Sequence, residues 1–158
     1  MQEWRAGQGL LGPLRPLMGA WVHESQGGTG AQAMRCSRMF RPFGKDWIQL
    51  DACWDQGEGG QYRETAFIGA AATDADKGLR IFSFTNDGKK SEGRLSDGAD
   101  IHPDAIAFES QMPAGLARAI YWPLEDGAPG FWFAVESRSP AGWNRFLIQR
   151  FTPDPAHD

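Results

Sequence analysis

His23 is the histidine that a β-strand would best present to a ligand. Trp21 precedes it by two residues, so the two side chains share one face if this segment is a strand, in which successive side chains alternate. An imidazole in a pocket can donate a hydrogen bond, ligate a haem iron or transfer a proton. A histidine hydrogen-bonded within its own sheet is commoner. His23 is therefore a candidate binding residue, and no catalytic residue is predicted.

Charged residues recur along the second half of the chain. Glu92 and Arg94 are two residues apart and share one face of a predicted strand. They form either an outer ion pair or part of an interior polar group, and the same alternatives apply to Glu109, Arg118, Glu136 and Arg145. Burying an unpaired charge is costly, so the outer face is favoured for each one. Arginine nevertheless suits a carboxylate, and we expect Arg94 or Arg145 to face inward as a polar anchor.

Other sequence patterns that could bind a cofactor or a metal lack the structural context that such a site requires. Residues 7–12 match a dinucleotide-binding fingerprint, but no strand precedes them and no βαβ unit follows. The segment 100–104 places one histidine among aspartates, which is typical of a turn. Nucleophile-elbow, zinc-protease and P-loop motifs are absent from the sequence. We therefore predict no metal and no cofactor.

The chain has two cysteines, Cys36 and Cys53, without Cys-x-x-Cys spacing. They fall on consecutive predicted strands and are expected to be near-opposite neighbours. Two buried thiols that behave as small apolar groups are favoured over a redox pair.

Composition excludes some classes of partner. The net charge is −4 and no basic run exceeds Lys89-Lys90, which disfavours nucleic-acid binding. No apolar stretch approaches the roughly 18 residues of a membrane span, and the first residues lack a continuous signal-peptide core. We expect a cytoplasmic protein with neither nucleic acid nor membrane as partner. Seven Trp and ten Phe residues provide rings to fill a core or line a pocket.

These residues must be positioned by strands, because short apolar stretches alternate with turn residues along the whole chain. Asp87-Gly88 is the strongest hairpin signal. The predicted strands are Leu17–Glu24, Ala33–Arg41, Asp46–Trp54, Gln61–Gly69, Leu79–Thr85, Lys90–Ser96, Ala105–Ser110, Leu116–Trp122, Phe131–Ser137 and Trp143–Phe151. Uninterrupted hairpins favour an all-β, ten-stranded antiparallel up-and-down barrel, which leaves no free edge.

One domain is predicted over residues 1–158, with a lead-in arm at 1–13 and a loose tail at 152–158. In the arm and just after it, Leu10, Leu11 and Leu14 are available to cover one end of the barrel.

Gly19-Ala20-Trp21 at the head of the first strand, with an arginine late in the last, resembles the calycin arrangement of lipocalins and fatty-acid-binding proteins. The closer similarity is to bacterial calycin-like proteins of unknown function, related in fold to nitrobindin. It covers Leu14–Trp21, Tyr62–Gly69, Phe82–Ser96, Ile106–Ala117 and Trp132–Arg145.

The resemblance implies a ten-stranded barrel that can hold a small ligand, often as a homodimer, and implies no reaction. It also implies that Trp21 crosses the closed end beneath Arg145 or Arg150, a cation–π contact. The iron-binding histidine of nitrobindin comes from near the end of its barrel. The last predicted strand here has none, which argues against haem binding of that kind.

The sequence therefore predicts a barrel that binds a small apolar or amphipathic molecule, with a homodimer possible. The predicted binding residues are Trp21, His23, Phe67, Phe82, Arg94, Trp122, Phe133, Trp143 and Arg145. One alternative is a haem-binding barrel or small enzyme that uses His23. Another is a structural dimer without ligand, in which small residues form the interface, namely Ala105, Ala107, Ala117 and Ala119.

Overall fold

The computed structural model describes residues 9–25, 34–70 and 78–157. Ten strands form one closed antiparallel barrel in which each strand pairs with the next and the first pairs with the last. The strands are β1 (Gly19–Ser25), β2 (Met34–Phe43), β3 (Trp47–Asp55), β4 (Gln61–Ala70), β5 (Leu79–Thr85), β6 (Lys90–Ser96), β7 (Ile106–Met112), β8 (Gly115–Pro123), β9 (Phe131–Ser139) and β10 (Gly142–Pro153). The predicted all-β, ten-stranded up-and-down barrel is confirmed.

The element bounds differ from prediction mainly at the chain ends. Residues 12–17 form a 3₁₀ helix with two prolines, so the first strand begins at Gly19 and not at Leu17. The last strand continues to Pro153, and the backbone N–H of Asp154 donates to the carbonyl of Ala20 at 3.0 Å. Within the predicted tail, therefore, the first residues belong to the sheet.

Some predicted features lie outside the described residues. They are residues 1–8 of the lead-in arm, the glycine-rich turn after β1, the beginning of the second predicted strand at Ala33, and most of the loop that precedes β5.

One end of the barrel is closed by packed apolar side chains. The 3₁₀ helix places Leu14 and Leu17 across this end, and both are fully buried. The Trp21 indole N–H donates to the carbonyl of Leu17 at 2.7 Å, and its ring lies 5.2 Å from that of Phe131. Leu10, which was also expected to cover the end, is 49% exposed.

Alternation along each strand decides which side chains enter the barrel. In β2, Cys36, Arg38 and Phe40 are buried, whereas Arg35 and Arg41 are exposed. The period-two geometry of a strand therefore puts the first three on the inner face. In β3, Leu50 pairs with Phe40 and Ala52 with Arg38, so both lie on the inner face, and both are buried.

A register shift in β10 changes the parity near its beginning. Arg145 pairs with Glu136 and Leu147 with Val135, so Phe146 is the additional residue of a bulge. Phe146 is 66% exposed, and the bulge leaves Arg145 on the outer face opposite Glu136.

The segment between β6 and β7 covers part of the outer face. Ala107, Ile120 and Ala134 lie beneath it and are fully buried. A Cβ on Gly98 would lie 2.6 Å from Cδ1 of Ile120 and 2.9 Å from Cβ of Ala105, so glycine allows this close approach without a shift of the neighbours. Ala107 is thus covered by its own chain, and its strand neighbour Phe108 pairs with Ala119 of the inner face. The predicted small-residue face is split between the two sides of the sheet.

Candidate functional site

The end of the barrel opposite the 3₁₀ helix is open to solvent along its inner wall. Half-buried apolar side chains pack against the core on the inner face, among them Ile81, Leu95, Ala119 and Val135. Ser137, which follows Val135 on the same face, is exposed. Water therefore reaches the inner face at this end of the barrel, which we call the mouth.

Arg38 lies between the closed end and the mouth. Its side chain enters the barrel because it shares the parity of Cys36 and Phe40, and the residue is 3% exposed. Its Nη2 donates to the hydroxyl oxygen of Tyr121 at 2.6 Å. Its guanidinium carbon lies 4.0 Å from the centre of the Phe133 ring, a cation–π contact.

Two polar atoms of Arg38 lack a hydrogen-bond partner among the described residues. They are the guanidinium Nε and Nη1, both fully enclosed. A buried donor without a partner costs free energy, and such atoms in a native protein call for an explanation. They can donate to an acceptor that enters the interior.

Glu64 balances the charge of Arg38 without occupying those donors. Its Oε1 lies 3.8 Å from Nη2 of Arg38, beyond hydrogen-bond distance. Its other oxygen accepts a hydrogen bond from the Ser83 hydroxyl. The Glu64 side chain is 20% exposed, so it faces the water-accessible part of the interior.

Gln149 contributes a second unsatisfied group to the same neighbourhood. Its side-chain N–H donates to Sγ of Cys36 at 3.0 Å, whereas its Oε1 has no hydrogen-bond partner in the described part of the chain. Gln149 pairs with Phe133 across β9 and β10, and the Phe133 ring is the one on which Arg38 stacks. The interior therefore offers donors and an acceptor around one aromatic ring.

Burial keeps two neighbours of this group in their protonated forms. It raises the pKa of Tyr121 to about 12, despite the opposing effect of Arg38, so the phenol is neutral at ordinary pH. Burial likewise raises the pKa of the Cys36 thiol, an effect that the hydrogen bond from Gln149 partly opposes. Neither Tyr121 nor Cys36 therefore adds a charge to this group at ordinary pH.

The structure places some predicted binding residues on the inner side. Phe133 contacts Arg38 directly, and Trp21 is part of the packed closed end. His23 is half-buried at the junction of β1 and β10, with its ring 5.9 Å from that of Phe151. Its Nδ1 lies 2.9 Å from the carbonyl oxygen and 3.2 Å from the backbone nitrogen of Arg150. Its Nδ1 is therefore held by the sheet itself.

Other predicted binding residues lie on the outer face, which corrects their expected orientation. Phe67 pairs with Phe82 across β4 and β5, between the inner-face residues Ala66 and Ile68. The Phe67 ring lies 5.2 Å from Phe43, which is 53% exposed. Arg94 is exposed and opposite Glu109, one residue from the buried Gly93.

Trp122, Trp143 and Arg145 also face outward, where they surround a buried ion-pair network. Arg118 donates to Glu136 and to Asp100, and its guanidinium carbon lies 4.3 Å from the Trp143 ring centre. Arg145 donates to the second oxygen of Glu136 at 2.9 Å and lies over Trp122. Arg145, one of the two arginines named as a possible cover for Trp21, thus lies over a different tryptophan.

The two cysteines, both free thiols, lie on opposite faces of the sheet. Cys53 pairs with Ser37, the neighbour of Cys36, and has the outer-face parity. The predicted near-opposite placement, given to within a residue or two, is found with an offset of one residue, and that step turns the two thiols to opposite faces.

Sequence reasoning missed Arg38, Tyr121, Glu64 and Gln149. A signal for Arg38 was present, because it stands two residues from Cys36 and two from Phe40, while its immediate neighbours are Ser37 and Met39. For the other three the sequence offers no comparable alternation, and only the closed barrel brings them to Arg38.

No protein-family model and no curated protein matches the chain. None of the helices in the described ranges is both long and apolar enough to span a lipid bilayer. Within residues 9–25, 34–70 and 78–157, no three His, Cys, Asp or Glu side chains come together as a metal site would require.

Proposed function

We propose that this protein binds a small apolar or amphipathic molecule inside the barrel, with Arg38 as the polar anchor. The observation that carries the proposal is the pair of enclosed guanidinium atoms, Nε and Nη1, that have no partner in the described chain. Charge-assisted hydrogen bonds to a ligand acceptor would satisfy them.

The apolar part of the molecule would lie towards the mouth. Half-buried inner-face side chains such as Ile81, Leu95 and Val135 provide the apolar surface for it. Binding sites for small molecules commonly combine such surface with a few oriented polar groups.

We also propose membership of the calycin-like barrels. Support comes from the ten-stranded closure with Gly19 and Trp21 at the head of β1. Cytoplasmic location and a homodimer remain predictions from the sequence.

The test is a titration of the full chain with Nile red, an uncharged apolar dye with a carbonyl acceptor. We expect saturable binding whose Kd rises roughly tenfold or more in Arg38→Met, as removal of a charge-assisted hydrogen bond predicts. The matched control is Arg94→Met, an exposed outer-face arginine, which should bind as the wild type does. Equal affinity in all three proteins would rule out Arg38 as the anchor.

A further inference from the structure

We infer that the ligand's polar head is uncharged and carries both a hydrogen-bond acceptor and a donor, as a carboxamide or lactam does, in preference to an ionised carboxylate. This inference rests on the proposed function and identifies the ligand class that Arg38, Glu64 and Gln149 would select.

The first argument is charge. Glu64 lies 3.8 Å from Arg38 and already offsets its positive charge. A ligand carboxylate at Nε or Nη1 of Arg38 would bring a second negative charge into the same enclosed space. Like charges in a poorly solvated site repel strongly, and the loss of the carboxylate's own hydration adds to the cost. An uncharged carbonyl oxygen accepts from the same donors without either penalty.

The second argument is hydrogen-bond complementarity. Nε and Nη1 of Arg38 require an acceptor, whereas Oε1 of Gln149 requires a donor. An ionised carboxylate only accepts, so it would leave the Gln149 oxygen unsatisfied. An amide or lactam presents a C=O and an N–H side by side and can serve both residues.

The third argument is proximity. Arg38 stacks on the Phe133 ring at 4.0 Å, and Gln149 stands opposite Phe133 in the strand pairing. Gln149 also reaches Cys36, which is two residues from Arg38 on the same face of β2. Arg38 and Gln149 therefore both lie beside Phe133 and Cys36 on the inner wall, and the inference requires one head group to reach both.

The experiment compares two ligands with the same chain length, decanamide and decanoate, by calorimetric titration of the full protein at pH 7. We expect the wild type to bind decanamide at least tenfold more tightly. In Glu64→Gln, which keeps an acceptor for Ser83, the Kd for decanoate should fall at least fivefold while that for decanamide changes less than twofold. In Gln149→Met, decanamide should weaken about fivefold and decanoate should not.

Three results would overturn the inference. They are decanoate binding as tightly as decanamide, a preference unchanged by Glu64→Gln, and binding of neither ligand by a protein that still takes up Nile red through Arg38. In each of these cases the proposed function stands. If Nile red binding does not depend on Arg38 and neither decyl ligand binds, the proposed function fails and the inference fails with it. Circular dichroism and Tm establish that each variant is folded.

Discussion

Two arginines of this barrel, Arg38 and Arg118, are equally buried at 3% exposure and yet differ in their partners. Arg118 donates through Nε to Glu136 at 2.8 Å and through both terminal nitrogens to Asp100 at 3.0 and 2.7 Å. Among the described residues, the Arg38 side chain donates one hydrogen bond, to Tyr121, and its carboxylate neighbour Glu64 lies at 3.8 Å. Each guanidinium lies against an aromatic ring, so stacking does not distinguish them.

The difference separates a structural charge from one available to a ligand. Arg118 is on the outer face, where its ion pairs and the ring of Trp143 join neighbouring strands and the segment before β7. When one member of a buried and fully hydrogen-bonded ion pair is removed, the other is left as a buried charge without a partner. Breaking such a pair is therefore strongly destabilising. The Nε and Nη1 donors of Arg38 have no partner in the described part of the chain. They add little to stability and are available to a ligand.

The largest expected effect is on stability in Arg118→Met. Glu136, itself buried, would lose one of its two arginine partners, and we expect the free energy of unfolding to fall by about 3 kcal/mol. Arg38→Met should lower it by no more than about 1 kcal/mol, because the change also removes two unsatisfied donors. Urea denaturation measures both. Equal losses in the two variants would show that the difference in pairing carries no energetic consequence.

An intermediate effect is expected in Tyr121→Phe, which removes the acceptor for Nη2 of Arg38 and adds a third free donor. We expect a loss of about 1 kcal/mol at pH 8 and weaker Nile red binding, since only Glu64 at 3.8 Å and the aromatic rings of Trp54 and Phe133 then hold Arg38. The thermal unfolding of Tyr121→Phe should otherwise remain cooperative. A variant as stable and as tightly binding as the wild type would show that the phenol does not position Arg38.

The same residue predicts a loss of stability at alkaline pH. The folded-state pKa of Tyr121 is raised from 10.0 to about 12, so the neutral phenol favours the folded state. Its contribution is fully present below pH 10 and is lost as the pH rises from 10 towards 12, because the unfolded chain releases the proton first. Urea denaturation at pH 8, 10 and 11 should show a steeper decline for the wild type than for Tyr121→Phe. If the free energy of unfolding declines equally with pH in the two proteins, ionisation of Tyr121 does not cause the loss of stability.

The smallest expected effect is in Asp100→Asn. The hydrogen bonds from Arg118 lower the pKa of Asp100, so its contribution is present above pH 3.8 and is lost as the pH falls through the depressed folded value. Because the Asp100 side chain is 53% exposed, solvent screens the interaction, and we expect a loss of only about 0.5 kcal/mol at pH 7. Urea titrations at pH 7 and pH 3 should differ less in the variant than in the wild type. A loss as large as that of Arg118→Met would place the main support of Arg118 at Asp100 and not at Glu136.

The strands and their order could be predicted because each is flanked by turn residues and joined to the next by a short connection. Asp87-Gly88, for example, indicates the hairpin between β5 and β6, which the structure contains. The face of the sheet on which each side chain lies was harder to predict. Phe67 and Phe82 are as apolar as Phe133, and nothing local says that they lie outside while Phe133 lies inside.

A shift of one residue reverses every side chain of a strand, and composition alone does not exclude that shift. In β10 the bulge at Phe146 adds a second uncertainty, since it reverses the parity between Leu147 and Arg145. An arginine expected inside therefore lies outside, while Arg38, two residues from both Cys36 and Phe40, carried the better alternation signal.

The sequence by itself determined a closed barrel of ten short strands, because its turn residues and apolar stretches permit little else. It also determined that Trp21 stands at the head of the first strand. Only the tertiary structure decided which arginine is paired and which has free donors. That distinction depends on residues far apart in the chain, Arg38 with Tyr121 and Glu64, Arg118 with Asp100 and Glu136, and closure of the sheet is what sets the distances between them.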